Sequence, residues 1–156
     1  MAPTLRKAVP RILREHRRDV VKSMAAALDD GRDEKLHAAR VAIKRLRYNL
    51  EFFRSLLAGE AAGALDLLAL AQEYLGTISD SDAFERTYLD LLAGIESADP
   101  RRTGIEACRL AAHAERRRAL ESLHALWSRD GDPPYTERLA ASISAALASP
   151  SLNEEA

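Results

Sequence analysis

The stretch LHAARVAIKRLRYNLEFF, residues 36–53, decides the fold, because its apolar and basic residues each recur with a helical period. At about 100° per residue, the apolar side chains fall on one stripe of an α-helix. This stripe predicts the side of the helix that faces a core. Its members, continued by one turn beyond the stretch, are Leu36, Ala39, Ile43, Leu46, Leu50, Phe53 and Leu57.

A second row on the same helix is basic. It contains His37, Arg40, Lys44, Arg47 and Glu51, one turn apart, and Arg45 and Tyr48 flank it. The preceding segment repeats the design, with Leu5, Val9, Leu13, Val20 and Ala27 inward and Lys7, Arg11, Arg14, Arg18 and Lys22 outward. Two neighbouring helices of this kind predict one basic surface.

Rows of Arg and Lys are commonplace on amphipathic helices, and most of them only solvate the outer face. Two features favour a binding surface here. No Asp or Glu occurs in residues 36–50, and like charges one turn apart repel by a few tenths of a kcal/mol per pair. Arg offers a planar fork for phosphate, Lys a mobile charge and Tyr48 a hydroxyl. The axial spacing of about 5.4 Å is comparable to that of neighbouring phosphates in a linear polyanion.

The glycine, proline and capping residues of the chain divide it into about six predicted helices, and no strand pattern occurs. The sequence therefore predicts an all-α fold of antiparallel helices joined by short loops. The first helix begins near Pro3 or Pro10 and ends at Gly31, and Asp33 caps the second, which ends near Ala58. The others are predicted over about 61–75, ending at Gly76, then from Ser79 and Asp80 to 97, from Pro100 to 129 and over 135–148. We expect one domain over residues 1–148 and a frayed tail over 149–156.

The net charge of -1 conceals a strong segregation of charge along the chain. Residues 1–54 contain 14 Lys and Arg against 7 Asp and Glu, whereas residues 55–99 contain 1 against 9. A basic face of this kind indicates what the protein binds rather than how it folds.

The chain has no apolar run of about 18 residues and no compact apolar leader, so neither a membrane span nor a signal peptide is expected. A single cysteine favours a reducing cytoplasm.

Three stretches of the sequence resemble the CHAD family, the conserved-histidine α-helical domain. Residues 36–53 resemble its signature helix, and LLALAQEYLGTISDSDAF, residues 67–84, resembles its second motif. ERRRALESLHALW, residues 115–127, resembles its closing Arg-rich helix more weakly. The resemblance implies a four-helix core unit and binding of inorganic polyphosphate, sometimes at polyphosphate granules. It places His37, Arg40, Lys44, Arg45 and Arg47 on signature positions, whereas Lys7, Arg11, Arg14 and Arg18 extend the site by helix geometry alone.

The chain departs from the family pattern in carrying one signature helix instead of two repeats. Either the chain is a degenerate half that stands alone, or two copies pair in a twofold homodimer that rebuilds the full module. The expected function is non-catalytic polyphosphate binding, with no cofactor and no membrane. Nucleic acid is a less favoured ligand of the same rows, because a recognition helix and a set of stacking aromatics are missing. A scaffold that meets an acidic protein stays open as a further alternative.

Other candidate sites carry weaker signals. The four histidines have no metal-ligand spacing, so no metal site is expected. Asp80, Asp82 and Glu85 could hold Mg²⁺, but caps at a helix start are favoured, and Asp80 could also pair with an Arg of the second helix. We expect Cys108 and His16 to pack in the interior. A second basic row is predicted as a possible rim, and it comprises Arg101, Arg102, Arg109, His113 and Arg116.

Overall fold

A computed structural model of the chain describes residues 5–57, 61–127 and 135–148. Within these ranges the chain forms five helices and no strand: α1 (Leu5–Asp30), α2 (Asp33–Phe52), α3 (Ala62–Ala93), α4 (Arg102–Trp127) and α5 (Tyr135–Leu147). The all-α prediction is confirmed, with five helices in place of about six. The tail predicted over 149–156 lies outside the described residues. None of the described helices combines the length and the hydropathy that crossing a membrane requires.

Helices α1 and α2 form an antiparallel hairpin around Gly31. This glycine has φ 62°, in the left-handed region that a residue without Cβ adopts at least cost, and its N–H donates to the Ala27 carbonyl at 2.9 Å. The stop predicted at Gly31 is therefore confirmed, and α1 continues through Pro10. The predicted cap is off by one position, because Arg32 is the N-cap and Asp33 the first helical residue.

Asp30 ties this turn together with three contacts. Its carboxylate accepts hydrogen bonds from Arg32 Nε at 2.7 Å and from the Arg32 backbone N–H at 3.2 Å, and it lies 2.6 Å from Lys35 Nζ. The contact with Lys35, and to a smaller extent those with Arg32, lower the pKa of Asp30 from its ordinary 3.8 to about 2. The carboxylate therefore stabilises the folded turn above about pH 4, and this contribution is lost as the pH falls through about 2.

We expect an NMR titration of the Asp30 carboxyl carbon to inflect near pH 2. Replacing Lys35 with Met should move the inflection back toward 3.8, since the largest cause of the lowered pKa is then gone. A wild-type inflection near pH 4 would contradict the contacts described for this turn.

Helix α3 corrects the prediction of two separate helices with a break at Gly76. It runs unbroken for 32 residues, because one buried stripe continues across the glycine from Leu75 to Ile78 and Ser81. Continued burial outweighs the roughly 1 kcal/mol that glycine costs inside a helix. Ser79 and Asp80 therefore lie in mid-helix and cap nothing.

The other helix ends differ by a few residues from the predicted ones. Helix α2 ends at Phe52, and residues 53–57 continue as hydrogen-bonded turns instead of helix. Helix α4 begins at Arg102, so Pro100 lies in the turn before it. The segment 128–134 after Trp127 lies outside the described residues.

The core lies where α1, α2, α3 and α5 meet, and α4 joins it only through its last turns. Helices α3 and α4 are antiparallel neighbours, and the residues that α4 buries are Ala119, Leu123 and Leu126. Farther out, α4 packs mainly against the second half of α3, and Arg116 also reaches Gly31 and Asp33 at the α1–α2 turn. Cys108 lies in this outer part and is exposed, so its predicted place in the core was wrong. His16 is half-buried between α1 and α2, where its Nδ1 lies 3.1 Å from Asn49 Nδ2.

Candidate anion-binding site

The basic residues of α2 lie outside its buried core stripe, but not all of them face solvent. Leu36, Ala39, Ile43, Leu46 and Leu50 are all buried. Because 100° separates successive residues, the remaining positions point sideways or outward. Of these, His37, Arg45 and Tyr48 are exposed, whereas Arg40, Lys44 and Arg47 are half-buried.

The half-buried arginines of α2 lean against α3. Arg40 Nη1 donates to Ser79 Oγ at 3.4 Å, and Arg47 Nη1 donates to Gln72 Oε1 at 3.1 Å. Arg47 also donates from Nε to Glu51 at 2.8 Å, so its charge is paired. Arg40 has no carboxylate partner among the described residues, and its buried Nε has no hydrogen-bond acceptor there.

The cationic row of α1 is open to solvent. Arg11, Arg14, Arg18 and Lys22 are exposed. The side chain of Lys7 lies outside the described residues, so its predicted role stays a prediction. Arginine on an exposed helix face keeps its fork free for a bidentate contact with an oxyanion.

A shallow groove joins the two helices along the hairpin. It has a volume of about 520 Å³, and three basic side chains line it: Lys22, His37 and Arg45. Asp19 and a strip of small residues complete the lining. The structure thus brings part of the two rows together here, while Arg40 and Arg47 lie on the opposite flank of α2, toward α3.

The cations of the hairpin and those of α4 differ in their partners. Within the described part of the chain, no carboxylate lies within ion-pair distance of seven cations of α1 and α2: Arg11, Arg14, Arg18, Lys22, Arg40, Lys44 and Arg45. On α4, by contrast, Arg109 contacts Glu85 at 3.1 Å and Glu106 at 2.8 Å. Arg116 contacts Asp82 at 2.6 Å.

The ion pairs of α4 change the interpretation of its basic row. Arg109 is the main cause that lowers the pKa of Glu106, and Arg101 lowers that of Asp99 to about 2. Ion pairs thus occupy Arg101, Arg109 and Arg116 of the predicted rim, whereas Arg102 donates to the Leu92 carbonyl instead of a carboxylate. The free positive charge of the described residues is therefore concentrated on the α1–α2 hairpin.

Two of the three acidic residues in the predicted second motif form ion pairs, and none of the three caps a helix. Asp82 binds Arg116, Glu85 binds Arg109, and Asp80 is exposed without an ion pair among the described residues. Ser79, instead of Asp80, contacts the second helix. No three His, Cys, Asp or Glu side chains of the described residues converge as metal ligands would.

A cavity between α2 and α3 contains residues that the sequence did not single out as ligands. Its volume is about 170 Å³, and Ser79 and Arg86 line it together with His37 and Arg40. A signal for Arg86 was present, since it is the one Lys or Arg in the acidic segment 55–99. Asp33, the first residue of α2, forms part of the wall.

Comparison with known families matches residues 1–89 to the CHAD domain. The matched part includes α1, α2 and most of α3, hence the whole hairpin with the unpaired cations. Comparisons with curated proteins and with solved structures find no match.

Proposed function

This chain belongs to the CHAD family, and from that premise we propose that it binds inorganic polyphosphate without catalysing a reaction. The observation that supports the proposal most is the concentration of unpaired cations on the α1–α2 hairpin. The proposed binding residues are His37, Arg40, Lys44, Arg45, Arg47 and Tyr48 of α2 with Lys7, Arg11, Arg14 and Arg18 of α1.

The proposed mechanism is electrostatic. A polyphosphate chain carries condensed counterions, and each cation of the hairpin that meets a phosphate releases some of them. The exposed arginines of α1 supply bidentate contacts, Lys44 and Arg45 supply contacts from α2, and the exposed Tyr48 hydroxyl donates a hydrogen bond. Many weak contacts along one flexible ligand add up, so long chains bind more tightly than short ones.

The partners and the location follow from this proposal. We propose the cytoplasm, at polyphosphate granules, as the place of action. A twofold homodimer would set two signature helices, and with them two basic hairpins, around one ligand.

Single-stranded nucleic acid is the second candidate ligand, because two aromatic rings stand exposed beside the cations. Tyr48 is 57% exposed and Phe52 is 77% exposed, four residues apart on α2. Exposed rings next to basic residues are a stacking platform for bases. Polyphosphate has no bases to stack, so the two ligands make different demands on these rings.

A salt titration with a competition arm tests the proposal. We expect the affinity for long-chain polyphosphate to fall roughly a hundredfold or more between about 50 and 200 mM salt, since several cation–phosphate contacts are screened together. Polyphosphate should displace a fluorescent single-stranded RNA at equal phosphate concentration. Binding that does not respond to salt, or an RNA that polyphosphate fails to displace, would refute the proposal in favour of the alternative ligand or none.

A further inference from the structure

The cavity between α2 and α3 has the size and the lining of a small anion site. Leu36, Leu75 and Ile78 form an apolar floor, and Arg40, Ser79 and Arg86 stand in its polar wall. A cavity of about 150 Å³ is known to admit a molecule as large as benzene. The roughly 170 Å³ available here therefore accommodates one tetrahedral phosphate group, but not a folded chain of them.

The two carboxylates beside the cavity differ in how tightly they pair with arginine. Asp82 is held by Arg116 Nε at 2.6 Å and is 16% exposed, so this pair is tight and sheltered. Asp33, by contrast, is 62% exposed and lies 3.5 Å from Arg86 Nη1 and 3.7 Å from Arg116 Nη2. A charge-assisted hydrogen bond has a length of about 2.7–2.9 Å, so Asp33 engages both guanidinium groups loosely.

We propose that the cavity is a subsite for a single phosphate group, held by Arg40, Ser79 and Arg86, and that Asp33 competes with the phosphate for Arg86. This inference rests on the proposed function and deepens it. Arg40 brings an unpaired charge to the site, and the Ser79 hydroxyl, which already accepts from Arg40, retains its own O–H to donate to a phosphate oxygen. Arg86 releases the exposed carboxylate of Asp33 and binds a phosphate oxygen in its place. The Asp33 side chain then faces the solvent.

The subsite divides the ligand into two parts. A terminal phosphate, or one unit of a short chain, enters the cavity, whereas the following units lie on the cations of the hairpin. His37 borders both the cavity and the groove between α1 and α2, so one chain can reach from the first to the second. Short phosphates depend mainly on the cavity, and long ones mainly on the cationic rows.

The test compares Asp33→Asn with Glu34→Gln by calorimetric titration with inorganic tripolyphosphate and with orthophosphate. Both substitutions remove one negative charge from the first turn of α2, so their effects on net charge and on the helix dipole match. Of these two residues, Asp33 contacts Arg86 and Arg116, whereas Glu34 contacts neither in the described part of the chain. We expect Asp33→Asn to raise the affinity for both ligands roughly three- to tenfold, and Glu34→Gln to change it by less than about twofold.

A double variant identifies the arginine that is released. With Arg86→Gln in place, adding Asp33→Asn should raise the affinity by less than about twofold, since the competed group is absent. Equal effects of Asp33→Asn and Glu34→Gln, or a full gain that survives in the Arg86→Gln background, would overturn the subsite.

The outcomes also separate the subsite from the proposed function. Tight binding of long polyphosphate, together with identical behaviour of Asp33→Asn and Glu34→Gln, overturns the subsite and leaves the function standing. The expected order with short phosphates, together with no detectable binding of long polyphosphate, supports the subsite and overturns the function. Failure of every phosphate to bind the wild type and the variants overturns both. Circular dichroism verifies that all variants keep the helical content of the wild type.

Discussion

Reversing three unpaired charges of the hairpin is expected to weaken the binding of long polyphosphate roughly a hundredfold. The variant combines Arg18→Glu, Lys44→Glu and Arg45→Glu, and none of the three side chains has a carboxylate partner among the described residues. An exposed charge contact contributes up to about 1 kcal/mol, so three of them amount to about 3 kcal/mol. The loss should appear in a fluorescence or calorimetric titration at fixed ionic strength.

A matched control removes the effect of net charge. Arg101→Glu, Arg117→Glu and Arg118→Glu together change the charge by the same amount, on side chains that are 72%, 70% and 67% exposed. Each of these arginines already pairs with a carboxylate of its own segment. We expect the control variant to lose only a few-fold in affinity, because its changed charges act on polyphosphate only through the screened long-range electrostatic field. Equal losses in the two variants would mean that polyphosphate responds to total charge and not to the hairpin.

Truncating Tyr135 is expected to give the largest loss of stability. This residue opens α5 and is 1% exposed, its hydroxyl donates to the Leu67 carbonyl at 2.8 Å, and its ring lies 4.6 Å from that of Trp127. Burial raises the pKa of the hydroxyl well above its ordinary 10, so it remains a donor. Tyr135→Ala should lower the free energy of unfolding by about 3–5 kcal/mol, as removal of a buried aromatic ring does.

The conservative variant separates the ring from the hydroxyl. Tyr135→Phe keeps the packing and should cost about 1 kcal/mol, the net contribution of one hydrogen bond. Denaturant unfolding followed by circular dichroism gives both values, since the transition midpoint shifts at a constant slope. Similar losses for the two variants would show that the hydroxyl, instead of the packed ring, fixes α5 to α3.

The helical period was sufficient to predict the core side of α2. Leu36, Ala39, Ile43, Leu46 and Leu50 were expected inside and are buried, because burial of one stripe is a local property of an amphipathic helix. The break at Gly76 was predicted wrongly from local signals that usually mark a helix end. Ser79 and Asp82 instead bind Arg40 and Arg116 of other helices, and such long-range contacts leave no local trace in the chain.

The same limit applies to the candidate site. Spacing alone places Arg14 on α1 and Arg109 on α4 in equivalent basic rows. Only the packing of α4 against α3 reveals that Arg109 faces Glu85, whereas Arg14 has no described carboxylate partner. Cys108 was misplaced for a related reason, since its burial would require a third helix beside the outer part of α4. The position of a residue on its helix is thus predictable from sequence, but its partner is not.

The order in which the helices pack has a consequence for how the chain folds. Helices α1 and α2, α2 and α3, and α3 and α4 are main packing partners and also neighbours along the chain, whereas α5 returns to contact α3 and α1. Most contacts therefore close short loops, which gives the low contact order of proteins that fold in microseconds to milliseconds. The α1–α2 hairpin is the most local of these units and can form before α5 closes the core.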